Sequence, residues 1–331
     1  MMMKDLSALA MSLSSSRSLQ GAKKKGKSWG WALIRSVFIL GFSFIILFPL
    51  MSMLARAFMQ PRDLYDSSVL WLPKHASLDN IQIAAKGLKY GVSLFNSLWS
   101  SLLATLLQLF SCVFAGYAFA RYAFPFRKLL FAGVILTLIV PPQLTMISSY
   151  MYFNDFDVLN ILHLITGRGI NLLDSQWPIM LMSATGTGIR SGLFIYMFRQ
   201  FFRSMPKETE EAAMVDGAGH FRIFFSVMLP GALTIIVTVA LFSFVWQWND
   251  VFFVNLYDHY FQNLSNSINS ANFSAYFPLY PEFTGFSIYD PVITKNLSST
   301  AALIIVAPLI LLFLVMQRYF VESVERSGVV G

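Results

Sequence analysis

This sequence is short of charge: only 12% of its 331 residues are Asp, Glu, Lys or Arg, whereas about a quarter are charged in a soluble domain. It has a single cysteine, Cys112, so no disulfide can form within the chain. Its four histidines are scattered and lack the spacing of metal ligands, which argues against a metal site. Apolar residues make up 56% of the chain instead. A soluble globular class is therefore excluded, and we expect lipid to be part of the solvent.

The apolar residues collect into runs of the length that a membrane helix requires. A bilayer core of about 30 Å needs roughly 20 residues at a helical rise of about 1.5 Å each. Five runs are uncharged, and a sixth is interrupted only by Arg190. In chain order the six runs are Ser36–Ala55, Tyr90–Ala120, Leu129–Asn154, Trp177–Phe198, Gly231–Asn249 and Asn296–Gln317. The sequence therefore predicts an all-α membrane protein with six transmembrane helices.

The placement of Lys and Arg predicts the orientation of these helices, because loops on the cytoplasmic side carry an excess of both. If the N-terminus is inside, 16 of the 24 basic residues are cytoplasmic. We therefore expect both termini in the cytoplasm and a lipid bilayer around the spans. This asymmetry accounts for the net charge of +7, so no nucleic-acid partner is needed to explain it.

The tail, residues 1–30, contains a pattern that imitates a nucleotide site. Gly21–Ser28 fits G-x-x-x-x-G-K-[ST], the loop that holds phosphates between a buried strand and a helix. Here polar, serine-rich residues precede it and a membrane span follows, so the strand is missing. We interpret 1–30 as a polybasic, flexible cytoplasmic tail attracted to anionic lipid, and 31–331 as the transmembrane domain.

The loop between the fourth and fifth spans, about 199–230, is predicted to contain a short soluble helix. Ser204 or Met205 is expected at the N-cap, with Pro206 in the first turn, where its missing N–H is tolerated. Three glutamates then place negative charge near the positive end of the helix dipole. Gly217 supplies a left-handed stop, which gives a helix of about 11 residues. Such a capped rod suits docking to a partner.

The same loop resembles the EAA loop of ABC-importer permeases. The resemblance rests on Glu211-Ala-Ala213, Gly217 and Leu229-Pro230, with Val227 in place of the usual Ile. In that family the loop is a coupling helix held in a groove of a separate ATPase. The resemblance implies that the following residues couple this chain to an ATPase: Glu211, Ala212, Ala213, Asp216, Gly217, Leu229 and Pro230.

Further segments are similar to carbohydrate-importer permeases of the maltose-transporter type. They are Ala115–Arg121, Val140–Gln143, Arg199–Arg203, Trp246–Asp250 and Gln317–Phe320. The resemblance implies a type I ABC-importer permease fold and a location in a bacterial or archaeal inner membrane. It also implies a second permease subunit, two ATPase subunits and an extracytoplasmic solute-binding protein as partners. ATP and Mg would be bound by the ATPase, which leaves this chain without a cofactor or an enzymatic activity of its own.

A sugar route requires aromatic faces for stacking and amides or hydroxyls for hydrogen bonds. Candidates lie near proline kinks or span ends, and they are Asn96, Gln143, Tyr150, Trp246, Gln247 and Asn249. Arg190 joins them, because a guanidinium inside a span must face a water cavity, the bundle interior or a partner. The long outer loop, about 250–295, is rich in Tyr, Phe and Asn, and it is expected to cover the outer mouth.

Three other interpretations remain open at this stage. An ABC permease for a non-sugar solute would carry the same loop. A secondary carrier that works without an ATPase is expected to carry carboxylates for ion coupling within the membrane, but none of the six predicted spans contains Asp or Glu. A non-transporting membrane scaffold would not need a capped docking helix.

Overall fold

The computed structural model describes residues 31–158, 160–287 and 289–328. The tail 1–30, with the phosphate-loop pattern Gly21–Ser28, therefore lies outside the described residues. The described chain divides into two units, which meet in the sequence between Ser77 and Leu78. Its regular structure is helical, and the bridge pairs that it contains are isolated ones.

The first unit, 31–77, consists mainly of one long apolar helix. This helix, α1 (Trp31–Ala57), is long and apolar enough to span a membrane, and it exposes its large side chains on all sides. A short helix, α2 (Pro61–Tyr65), follows. The loop closes through His75, whose backbone N–H and ring contact the buried carboxylate of Asp63 at 2.8 and 2.9 Å.

The second unit, 78–328, holds the remaining helices. In chain order its first helices are α3 (Asp79–Gly87), α4 (Tyr90–Arg121), α5 (Arg127–Ile139), α6 (Met146–Asn154), α7 (Ile161–Thr166), α8 (Trp177–Ala184) and α9 (Ser191–Ser204). They are followed by α10 (Glu208–Val215), α11 (His220–Ile223), α12 (Leu229–Gly231), α13 (Leu233–Trp248), α14 (Phe252–Tyr257), α15 (Leu264–Ser270) and α16 (Pro291–Gly328).

Helix α4 is at the centre of this unit and packs against α8, α9 and α13. The contact with α9 is close at Gly116, where an added Cβ would collide with the Cβ of Phe198 and reach the backbone N of Arg199 at 3.0 Å. Small residues at such crossings let helix backbones approach each other in a membrane. The position of α4 therefore depends on the absence of a side chain at Gly116.

Gly116→Ala is expected to lower the free energy of unfolding by about 1–3 kcal/mol, the usual cost of overpacking a fitted core. Gly91→Ala in the same helix is the matched control, because nothing lies within 4 Å of its added Cβ. That control should be neutral or slightly stabilising, since alanine favours a helix over glycine by up to about 1 kcal/mol. Thermal unfolding in detergent measures both variants, and equal midpoints would contradict the prediction.

Two of the six predicted spans are broken rather than continuous. The run 129–154 divides into α5 and α6 at Pro141-Pro142, as expected of prolines that cannot continue a helix. The run 177–198 divides into α8 and α9 at 185–190, so the prediction of a continuous helix there was wrong. At the break, Gly186 and Arg190 both adopt left-handed backbone conformations, with φ of +71° and +58°, which interrupt the helical geometry.

By length and composition, three helices of the described chain could cross a membrane: α1, α4 and the Pro291–Gln317 part of α16. A fourth arises if the bent pair His220–Gly231 and Leu233–Trp248, at 75° to each other, is one span. The bend follows Leu229-Pro230, and a proline interrupts the hydrogen bonding of a helix. The count of six and the cytoplasmic termini stay predictions.

The outer loop predicted at 250–295 folds on itself and on neighbouring helices. It contains α14, α15 and two short 3-10 turns, Ser274–Leu279 and Pro281–Phe283. Its aromatic residues form a buried cluster with residues of α3 and α16, in which Ile83, Phe283 and Leu297 are almost fully buried. The folded segment 250–295 is called the cap below. The first turns of α16 pack in it, which explains why the helix begins at Pro291, before the apolar run at Asn296.

Candidate functional site

The helix predicted in the coupling loop is present as α10, but it is shorter than expected. It has 8 residues, begins at Glu208 and has Lys207 at its N-cap. The expected start at Ser204 or Met205 was wrong, because α9 continues to Ser204 and Met205 is extended, with φ −69° and ψ 139°. Pro206 thus lies in the junction between the two helices. The stop at Gly217 is confirmed by its φ of +78°.

The motif residues of α10 face in two directions. Glu211 and Ala212 are exposed, and Val215 is 88% exposed. Ala213 points the other way and packs, half-buried, on the buried cluster around Phe202. One side of α10 is thus anchored on the core while the other side is free to meet a partner.

The free side of α10 is acidic. Glu208, Glu211 and Asp216 are exposed, and none of them has an ion-pair partner within the described part of the chain. Unpaired carboxylates beside small alanine side chains suit a basic groove in another protein. The surface formed by Glu208, Glu211, Ala212, Val215 and Asp216 is called the coupling surface below.

The end of the loop returns towards α9. Leu229 is half-buried against the same cluster as Ala213, and Pro230 is exposed. An added Cβ on Gly231 would come within 2.8 Å of the Met205 methyl. Leu229 and Pro230 thus lie at the bend before α13, where they fix its direction, and only Pro230 is available to a partner.

A buried ion pair joins α10 to α4. The Arg121 Nε lies 3.0 Å from a carboxylate oxygen of Glu210, and the two side chains are only 7% and 11% exposed. Those two atoms lack hydrogen-bond geometry, so their contact is purely an ion pair. Arg121 Nη2 also donates to the carbonyl of Met205 at 2.8 Å. Neither Arg121 nor Glu210 was predicted to act in coupling.

A second candidate site lies at the break between α8 and α9. The guanidinium of Arg190 is 4.6 Å from the centre of the Trp246 ring on α13, a cation–π contact. Arg190 is exposed, and Trp246 is 40% exposed. No hydrogen bond or ion pair engages the Arg190 side chain within the described residues. The prediction that Arg190 lies inside a helix was therefore wrong. Arg190 presents its guanidinium from the break between α8 and α9.

A buried amide holds this break in place. Gln108 of α4 donates to the carbonyl of Ile189 and to Ser191 Oγ, both at 2.7 Å. Its own carbonyl accepts from Ser243 Oγ of α13 at 2.6 Å. Ser111 of α4 similarly donates to the carbonyl of Ser183, at 2.7 Å. These bonds satisfy backbone carbonyls that the broken helix leaves without partners.

The break between α5 and α6 lies close to the start of α9. An added Cβ on Gly192 would meet Thr137 Oγ1 and the carbonyl of Val134, so the first turn of α9 rests on the last turns of α5. Gln143 in the break is exposed, and Tyr150 is 38% exposed. Both broken helices thus interrupt their hydrogen bonding in the same region of the fold.

The other predicted cargo contacts are engaged within the chain. The Asn96 amide donates to the carbonyl of Gln262 at 2.9 Å, and the Asn249 amide to that of Val245 at 2.9 Å. Gln247 is buried and lies 3.5 Å from Gln108 Oε1. The exposed members of the predicted set without a side-chain hydrogen bond in the described chain are Gln143, Tyr150, Arg190 and Trp246.

The sequence did contain a signal for Gln108. Serine, threonine, glutamine and cysteine recur every three or four positions along one face of α4. All of these residues are buried; they are Ser97, Ser101, Thr105, Gln108 and Cys112. This spacing places them on one face of a helix, and polar residues at such positions glue membrane helices together. The stripe indicates the packing face of α4, but its partners are known only from the fold.

Residues 112–326, about two thirds of the chain, match the family described as "Binding-protein-dependent transport system inner membrane component". Among curated relatives, the probable ABC transporter permease protein of Pyrococcus horikoshii is 27% identical and covers 73% of this chain and 74% of its own length. The melibiose/raffinose/stachyose import permease protein MelC of Bacillus subtilis is 28% identical, covering 80% of this chain and 86% of its own.

A solved bacterial ABC transporter that imports the acidic polysaccharide alginate has a chain of the same fold. Its TM-score is 0.67 at 18% identity, over 88% of this chain and 96% of that one. This likeness confirms an ABC-importer permease fold, and the family match confirms the resemblance to ABC-importer permeases. The chain therefore belongs to the family of inner-membrane components of binding-protein-dependent transport systems.

Proposed function

We propose that this chain forms half of a transmembrane pathway for a sugar or oligosaccharide and couples it to a separate ATPase. The cargo class is supported by relatives named as importers of melibiose, raffinose and stachyose and of diacetylchitobiose. A second permease subunit, two ATPase subunits and an extracytoplasmic solute-binding protein complete the assembly. Its location is a bacterial or archaeal inner membrane. ATP and Mg bind to the ATPase, not to this chain.

The observation that carries the proposal is the coupling surface on α10. It combines an unpaired carboxylate, Glu211, with the small side chain of Ala212 on a helix anchored to the core through Ala213. The basic residues that flank it, including Arg203 and Arg222, support a cytoplasmic position for this loop, because positive charge is concentrated on that side. The ATPase would therefore contact α10 on the cytoplasmic side, and its motion would pass to the core through the packing of Ala213.

Cargo contacts are assigned to the region where the two helices break. An exposed guanidinium is tolerated at membrane depth only where it faces water or a polar ligand. Arg190 offers hydrogen-bond donors for sugar hydroxyls or a carboxylate, and Trp246 offers an aromatic face. Gln143 and Tyr150 are the further contacts that the structure leaves exposed. Gln247 supports this region through its contact with Gln108, whereas the amides of Asn96 and Asn249 donate to the carbonyls of Gln262 and Val245.

The cap formed by 250–295 is proposed to receive the solute-binding protein. Its core is packed within this chain, yet Tyr260 and Tyr289 remain 82% and 84% exposed. Exposed tyrosines with apolar rings and a hydroxyl are typical of protein interfaces. The cap thus serves as a folded platform rather than as a loose cover.

The function is tested by purifying the assembly through a tag on this chain and reconstituting it in lipid nanodiscs. ATP hydrolysis is then measured with the binding protein alone and with melibiose, raffinose or diacetylchitobiose. We expect an ATPase to co-purify and at least one sugar to raise its rate. Absence of the ATPase, or stimulation by a non-sugar solute only, would overturn the coupling or the cargo assignment, respectively.

A further inference from the structure

We propose that Arg121 and Glu210 form a tie that makes α10 move as one body with α4. The proposal deepens the coupling function assigned to α10 and rests on it. Arg121 and Glu210 are positioning residues in this view, because they face the interior and do not belong to the coupling surface. The pair is called the Arg121–Glu210 tie below.

The need for a tie follows from the backbone on either side of α10. Met205 is extended where α9 ends, and Gly217 is left-handed where α10 ends. Neither junction continues the helix, and hinge motions are absorbed at such element ends. A force on α10 would therefore be taken up by rotation at these two junctions unless side chains resist it.

Arg121 holds both α10 and the first junction from a single position. Its Nε contacts Glu210 in α10, and its Nη2 donates to the carbonyl of Met205, the first junction. The planar fork of a guanidinium holds two acceptors in a fixed relation, which a lysine ammonium does not do. Because both charged side chains are about nine-tenths buried, separating them would leave an unpaired charge away from water.

Aromatic rings pack against one another beside the tie, at residues on either side of Arg121 in the sequence. Tyr117, one turn before Arg121, packs its ring 5.6 Å from that of Tyr122 and 5.3 Å from that of Phe202. The ring of Tyr122 in turn lies 6.0 Å from that of His220, beyond α10. The tie is thus part of a packed cluster that includes both α4 and α9.

Through α4, the tie reaches the cargo region. The same helix carries Gln108, which holds the break at Ile189 next to Arg190. A displacement of α10 would therefore be transmitted along α4 to the break, and not only through α9. Glu210 and Glu211 then have different tasks: Glu211 meets the ATPase, and Glu210 passes its motion inward.

Spin labels in the complete reconstituted assembly test the tie. They are placed at Thr209→Cys on α10, away from Glu211, and at Phe110→Cys on α4, which is 65% exposed. Cys112, the native cysteine, is fully buried, so within this chain labelling is confined to the introduced sites, and the partner subunits are used in cysteine-free form. In the parent we expect one narrow distance distribution, equal without nucleotide and after trapping with ATP and vanadate.

Glu210→Gln should broaden that distribution by about 2 Å or more, the scale of a helix shift at an interface, while the ATPase still co-purifies. The adjacent Glu211→Gln is the matched control, and it should keep the narrow distribution while reducing the amount of ATPase bound. A Glu210→Gln distribution as narrow as that of the parent would overturn the tie. Loss of ATPase from the parent itself would instead overturn the coupling function.

A charge-swapped variant covers the case in which Glu210→Gln does not fold. R121E/E210R places the same two charges in the opposite order, so the ion pair can form again. We expect a distribution between those of the parent and the R121E single variant, because a glutamate at position 121 cannot donate to the Met205 carbonyl. A swapped pair as broad as the R121E single variant would overturn the proposal, since the tie depends on the pairing of the two charges.

Discussion

Glu211→Arg is expected to lower the cargo-stimulated ATPase activity of the assembly about 100-fold, within the 2–5 kcal/mol range of a disrupted interfacial charge pair. Glu211 has no ion-pair partner in the described chain, so its carboxylate is available to a basic residue of the ATPase. The introduced arginine would place a positive charge next to that basic residue of the ATPase. Two measurements check the prediction: the hydrolysis rate and the amount of ATPase recovered with the tagged chain.

The matched control for this variant is Thr209→Arg. It introduces the same side chain into α10 at an exposed position, about 160° from Glu211 around the helix axis. We expect it to leave both the hydrolysis rate and the recovered ATPase near the parental values. If the two arginine variants lose activity equally, general damage to α10 explains the result and the orientation of the coupling surface is wrong.

The membrane runs were predictable because lipid selects for long uncharged segments, whatever their tertiary contacts. α1 and α4 appear where those runs lie, within a few residues at each end. The break at Thr185–Arg190 was not predicted, because hydropathy averages over about 19 residues and a short Thr-Gly-Thr-Gly interruption hardly changes it. Its stability comes instead from Gln108, a residue about 80 positions away in the chain.

The coupling loop shows the same division between local and distant causes. The stop at Gly217 follows from local backbone preference and was predicted correctly. The start was misplaced, because Pro206 fits a first helical turn equally well, whereas packing extends α9 to Ser204. Which glutamate faces inward depends on Arg121. No local pattern in the loop indicates that this arginine of α4 lies against Glu210.

Trp246→Ala is expected to lower the rate of cargo transport about tenfold, which corresponds to roughly 1.4 kcal/mol of lost stacking and cation–π contact. Trp246 presents its ring beside the break and holds the Arg190 guanidinium over one face. Removing the ring takes away a surface for the sugar and frees the arginine to reorient. Uptake of labelled raffinose into proteoliposomes that contain the assembly measures the effect.

Val245→Ala is the matched truncation on the same helix, since Val245 is 38% exposed and is not a member of the cation–π pair. We expect it to transport at close to the parental rate. Trp246→Phe, which keeps an aromatic face, should have a rate between those of Trp246→Ala and Val245→Ala.

A double-mutant cycle with Arg190→Lys then separates the two roles of the ring. Lysine keeps the charge but not the planar stacking, so a coupling energy near zero would mean that Trp246 acts on the cargo without Arg190. Equal rates for Trp246→Ala and Val245→Ala would place the pathway elsewhere.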